Sequence, residues 1–174
     1  VTIKHLLKLA RKPSEENLGQ VDLVGVLKDS LELFYSQMKY ESIKVDVSLP
    51  KDGLLVYGES HRLVSVFQNL VNNARDEFMR ADQMTIGEQR ITIGVDESKS
   101  DSVKVCVFVR DNAGGISPEI AARIFDPFFT TKDVGQGTGL GLPLSRRIVE
   151  ELGGTLNAVS ENGETTFYIM LKRQ

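Results

Sequence analysis

Helical spacing dominates the chain from residue 21. Leu23, Val26, Leu27, Leu31 and Phe34 fall on one stripe, which predicts a helix capped by Asp22 and running to about Ser42. The period then drops to two. Ile43, Val45, Val47 and Leu49 alternate with polar residues and predict a strand that Pro50 stops, and residues 54–57 predict a second, shorter one. Glu59 and Ser60 open a long helix to about Arg80, with Leu63, Phe67, Leu70, Ala74 and Phe78 as its apolar stripe. Two alternating runs follow, Ile91, Ile93, Val95 and Val103, Val105, Val107, Val109, joined by a polar hairpin turn at 97–102. Ser117 caps a short helix to about Phe125, and residues 126–137, without periodicity, read as a mobile loop. A helix from about Thr138 to Leu152 ends at Gly153 and Gly154, and strands at 155–160 and 165–171 close the chain. Upstream, residues 3–11 predict a short helix, and Pro13 with the polar run 14–20 predicts a linker. Helices with mostly antiparallel, alternating strands imply an α+β fold, a two-layer α/β sandwich on a mixed, mostly antiparallel sheet.

Composition narrows the class. The 174 residues fit one domain with a small appendage. A net charge of −3 shows no basic excess, which argues against nucleic-acid or anionic-membrane partners. The one cysteine, Cys106, excludes an intrachain disulfide and a thiolate metal cage and fits a reducing, cytoplasmic setting. No apolar run approaches the roughly 20 residues that span a bilayer, and no signal peptide is visible. The chain opens on Val1 rather than Met, which leads us to expect a fragment of a longer protein.

Five places carry chemistry. Asn69, Asn73 and Asp76 share one face of the long helix; that face is either a solvated polar surface or a place where an amide oxygen meets Mg²⁺ beside phosphates. Asp111 has the same strand parity as four valines and therefore faces the interior, where a carboxylate needs a donor. Asn112-Ala113-Gly114-Gly115 follows, either a plain strand-end turn or a backbone that a flat ligand can approach. Gly137, Gly139 and Gly141 open a helix, which offers an anion site of free N–H groups or a flexible connector. Phe125, Phe128, Phe129 and Lys132 lie in the loop before it. Thr165 shares parity with Phe167, Ile169 and Leu171, so its hydroxyl also faces inward.

The order of these elements decides between the alternatives. Asn69-Leu-Val-Asn-Asn73-Ala74, Asp111-Asn-Ala-Gly-Gly115, Phe125-Asp-Pro-Phe-Phe129 and Gly137-Thr-Gly-Leu-Gly141-Leu142 match an N box, a first glycine box, an F box and a second glycine box. Over about residues 21–171 the chain resembles the catalytic domain of sensor histidine kinases, within the GHKL ATPase superfamily. The resemblance implies helices on one face of the sheet, with ATP between helices and sheet. It implies that Asn73 ligates Mg²⁺, with Asn69 and Asp76 nearby. Asp111 would accept from the adenine amine, with Gly115 and Ile116 beside it and Thr165 acting through water. Gly137, Thr138, Gly139, Leu140, Gly141 and Leu142 would surround the phosphates. Residues 126–137 would form a lid carrying Phe128, and Lys132 would favour the terminal phosphate.

Three positions depart from the family pattern: Ala113 and Glu164 stand where glycines are common, and Ser65 where glutamine is frequent. Position 69 discriminates within the superfamily. ATP-hydrolysing and serine-kinase branches usually carry glutamate there, a general base for water or hydroxyl. Asn69 is a poor base, and an imidazole nucleophile needs none. The resemblance therefore implies a histidine kinase, with a GHKL ATPase or anti-sigma serine kinase as the rival and a degenerate binding module as a second. Of the two histidines, His61 opens the long helix, and His5 lacks the acidic residue, Arg and Pro that usually follow an acceptor. We therefore expect residues 1–20 to be the tail of a dimerisation helix plus linker and 21–174 the catalytic domain. The acceptor histidine would lie upstream. Expected partners are that dimerisation domain and a response regulator receiver, with a monomeric fragment and a dimeric parent, itself cytoplasmic or anchored in the inner membrane.

Overall fold

The computed structural model describes residues 18–50, 53–80, 87–133 and 137–174, without the side chains of Leu33 and Ser36. The helix expected at 3–11, His5 and most of the linker fall outside these residues. The elements are β1 (Gly19–Asp22), α1 (Leu23–Tyr40), β2 (Lys44–Ser48), β3 (Leu55–Gly58), α2 (Ser60–Arg80), β4 (Arg90–Val95), β5 (Lys104–Asp111), α3 (Pro118–Ala121), α4 (Gly141–Glu151), β6 (Thr155–Glu161) and β7 (Glu164–Lys172).

Five strands form one sheet in the order β2-β4-β5-β7-β6, parallel only between β2 and β4. The inward residues of β4, β5 and β7, among them Ile91, Ile93, Val105, Val107, Val109, Ile169 and Leu171, are essentially inaccessible. They pack with Leu63, Phe67, Leu70 and Phe78 of α2, Leu27 and Leu31 of α1, and Ile148 of α4. Each large apolar side chain buried this way contributes about 1.5–3 kcal/mol of transfer free energy. The expected α+β sandwich, with a mostly antiparallel sheet, is the observed one.

Several boundaries differ from the sequence reading, each for a local reason. Gly19 and Gln20, expected in the linker, pair with Gly58 and Tyr57 in a separate two-stranded ribbon. That pairing uses backbone groups and leaves no side-chain signature. Asp22 caps α1 as expected, accepting from the Val24 N–H at 3.0 Å, but the helix stops at Tyr40 and Ser42 turns left-handed at φ 60°. Val103 is 61% exposed and precedes β5, because Asp101 Oδ1 accepts from the N–H groups of Val103 and Lys104 and turns the chain there. The helix capped by Ser117 is a single turn, and Phe125 lies beyond it. α4 begins three residues later than expected, since Gly139 sits at φ 63°, outside helical space.

Candidate functional site

A cleft of about 600 Å³ opens between α2, the start of α4, the ends of β5 and β7, and the segments 129–132 and 137–139. It brings together Asn69, Asn73, Asp76, Asp111, Gly115, Ile116, Lys132, Gly137, Thr138, Gly139, Gly141, Leu142 and Thr165. Phe128 and Leu140, also expected in nucleotide contact, stand outside this lining. Phe128 is held at φ 68° and is 76% exposed, and its N–H donates to the Gly139 carbonyl at 2.9 Å. Leu140 is the residue before α4, and its N–H meets Thr138 Oγ1.

One end of the cleft is built by strand register. Asp111 ends β5 opposite Thr165 of β7, and each is 5% exposed. Parity along the strands put both on the interior face, and there they are. Burial pushes the Asp111 carboxyl up to about 6; the Ala113 N–H, donating at 3.1 Å, works against this, and the charges of Glu77 and Glu164 add to it. A carboxylate so desolvated and so little hydrogen-bonded favours a ligand that brings an N–H donor. Phe167 and Ile116 supply apolar wall beside it.

The other end is built by helix ends and loop. The alternate glycines are required by close approach. A Cβ on Gly141 would stand 2.3 Å from Asn69 Oδ1, one on Gly139 2.4 Å from the Phe128 carbonyl carbon, and one on Gly137 2.4 Å from Thr130 Oγ1. α4 starts without a side-chain cap, so its first N–H groups are open to an anion at the positive end of the helix dipole. Asn69 donates through Nδ2 to Ser145 Oγ at 2.9 Å, tying α2 to α4. Buried Asn73 Nδ2 finds no partner among the described residues. Lys132 does not stand free: its Nζ donates to Asp76 Oδ2 at 2.5 Å. Arg80 reinforces that attachment, donating to the Thr131 carbonyl at 2.7 Å and to its Oγ1 at 3.1 Å.

Among the described residues the cleft thus presents Asp76, Glu77 and Asp111 against one cation, Lys132. A polyphosphate entering it meets an excess of negative charge, so a divalent cation fits both the charge balance and the amide of Asn73. Among the described residues no three His, Cys, Asp or Glu side chains gather to hold a metal alone, so such an ion would lean on the phosphates. Sequence reasoning missed Ser145, Glu77 and Arg80. Ser145 lies four residues after Gly141 and Arg80 four after Asp76, so helical spacing from known positions could have found both. His61 is outside the lining and pairs with Glu59 at 3.2 Å.

Known proteins resemble the chain in sequence and in fold. Residues 58–174 match the family described as histidine kinase-, DNA gyrase B-, and HSP90-like ATPase. The two-component sensor PprA of Pseudomonas aeruginosa is 32% identical over 97% of this chain and 18% of its own length. The sensor kinase CckA of Brucella abortus is 34% identical over 88% of this chain and 17% of its own. The chain therefore spans less than a fifth of either relative. The nucleotide-free catalytic domain of the histidine kinase ThkA superposes with a TM-score of 0.74 at 28% identity, covering 90% of this chain and 95% of that one. The family match runs from the end of β3 to the last strand and takes in both glycine elements: the chain belongs to the histidine kinase-, DNA gyrase B- and HSP90-like ATPase family, as an ATP-binding domain of the histidine-kinase type.

Proposed function

We propose that this chain binds Mg-ATP in the cleft and, within a longer two-component sensor kinase, hands the γ-phosphoryl group to a histidine on a dimerisation domain. Asp111 accepts from the adenine amine, with Gly115, Ile116 and Thr165 around the base. Asn73 offers its amide oxygen to Mg²⁺, which would neutralise charge between the phosphates. The open N–H groups at Gly141 and Leu142 receive phosphate oxygens. Lys132 exchanges Asp76 for the terminal phosphate, where it would offset charge as the bond to the β-phosphate breaks and the bond to imidazole nitrogen forms. ADP leaves, and the imidazole proton passes to solvent.

Asn69 carries the choice of phosphotransfer over hydrolysis. Its Nδ2 is committed to Ser145, and an amide is no base in any case. No water would be activated at this position, so the acceptor must bring its own lone pair, as a neutral imidazole does. The parent is read as a cytoplasmic or membrane-anchored homodimer serving a response regulator. Among the described residues no helix is long and apolar enough to cross a membrane.

Thermal melts and radiolabel test this together. Mg-ATP at a hundredfold excess over Kd should raise the melting temperature by roughly 5–10 °C, while turnover by the isolated chain stays slow. In the longer parent the label should be acid-labile. Fast hydrolysis by the isolated chain, or acid-stable phosphoserine on a partner, would favour the ATPase or serine-kinase rival. No ATP-linked rise in melting temperature would favour a degenerate binding module.

A further inference from the structure

Asp111, Thr165 and Ser160 stand in one row across three strands, Asp111 opposite Thr165 on β7 and Thr165 opposite Ser160 on β6. After Asp111 the chain leaves the sheet through Gly114 and Gly115, both left-handed at φ 98° and 76°, and comes back against the β6–β7 turn. There the Ser160 hydroxyl is used twice. It accepts from the Ile116 N–H at 2.8 Å and donates its only hydrogen to the Glu164 carbonyl at 3.0 Å. One further bond, from the Gly114 N–H to the Gly163 carbonyl at 3.0 Å, closes the seam.

We propose that Ser160 is a positioning residue for base recognition, fixing the Gly115–Ile116 backbone against β7 so that Asp111 and Thr165 present one edge to adenine. This rests on the reading of the cleft as an ATP site. Gly115 and Ile116 line the cleft, so the hydroxyl acts through groups a base would touch. A Cβ at position 115 would lie 2.7 Å from Ser160 Oγ, so the glycine is required by this serine as much as by its own φ. Glu164 takes part through its backbone. Its carbonyl makes the contact, while its carboxylate lies 3.7 Å from Arg110 Nη1.

Calorimetric titration of the full chain with Mg-ATP and with Mg-inosine triphosphate, which lacks the exocyclic amine, separates positioning from mere structure. The wild type should prefer ATP. Ser160→Ala should weaken ATP about tenfold, the worth of one hydrogen bond, and inosine triphosphate by less than about twofold, so that discrimination collapses. Ser160→Thr keeps the hydroxyl and should keep the preference. Should the alanine variant fail to fold, Ser160→Cys, of similar size but a poor hydrogen-bond former, should show the same collapse. Equal weakening of both nucleotides, no weakening of either, or loss of preference in Ser160→Thr would overturn the role of Ser160. A wild type that binds neither nucleotide would instead overturn the ATP-site reading beneath it.

Discussion

At one end of the cleft Asp111 and Thr165 stand on paired strands, each 5% exposed, in a row fixed by main-chain hydrogen bonds. At the other end the groups sit on loop and helix termini, and Lys132 is held by Asp76, 56 residues away in sequence. The contrast teaches what each end can do before a ligand arrives. Sheet register sets the base end rigidly and leaves a buried carboxylate with one hydrogen bond among the described residues, so that end stores an unfavourable charge. The phosphate end stores none. Its ion pair and uncapped helix start are satisfied by one another or by solvent, and a polyphosphate would exchange partners there.

The most severe test of the contrast is Asp111→Asn. Loss of the charged acceptor should weaken Mg-ATP by roughly 10- to 100-fold, the range for a hydrogen bond to a charged group. The same change should stabilise the nucleotide-free chain. With its carboxyl raised to about 6 from 3.8, the folded chain keeps a proton that the unfolded chain releases between those values. Stability therefore falls as pH rises through about 4 to 6, and the full cost, roughly 3 kcal/mol, is present at pH 7. Denaturant melts of both proteins from pH 4 to 7 should differ by that rising gap. A variant less stable than wild type at pH 7 would remove the idea of stored charge at the base end.

Gly141→Ala attacks the phosphate end. The new methyl would press on Asn69 Oδ1 and break the bond to Ser145 or shift the start of α4. Mg-ATP should weaken about tenfold, and the chain should lose about 1–3 kcal/mol, the usual cost of overpacking, rather than gain any. Titration and melts on one sample check both signs. Unchanged affinity would mean that the α4 terminus takes no phosphate.

This difference also governs what could be read in the sequence. Period two fixes the side of every residue on a strand, so Asp111 and Thr165 were legible as an interior pair with no coordinates, and the caps Asp22 and Ser117 were legible from side-chain type. The phosphate end depends on backbone angles and on long-range partners. The left-handed turn at Gly139 moves the start of α4 off Thr138, and Phe128, at φ 68°, turns its ring outward. Nothing local to Lys132 announces Asp76, and nothing in β1 but Val21 is buried to betray a strand.

The smallest effect expected is at that ion pair. Lys132 is 18% exposed and Asp76 37%, so the pair is partly screened and contributes well under the value of a buried one. Asp76→Asn frees Lys132 and removes a charge that repels phosphate, so Mg-ATP should bind about two- to threefold tighter at low salt. The gain should shrink as ionic strength rises, because charges near the surface are screened over about 8–10 Å. Chain stability should hardly move, since Arg80 still clasps Thr131. Titrations at two salt concentrations, with a melt as control, read all three. Weaker binding in this variant would place Asp76 among the groups that hold the Mg²⁺–phosphate end rather than among those that yield to it, and the contrast between a strained base end and an exchangeable phosphate end would fail on its second half.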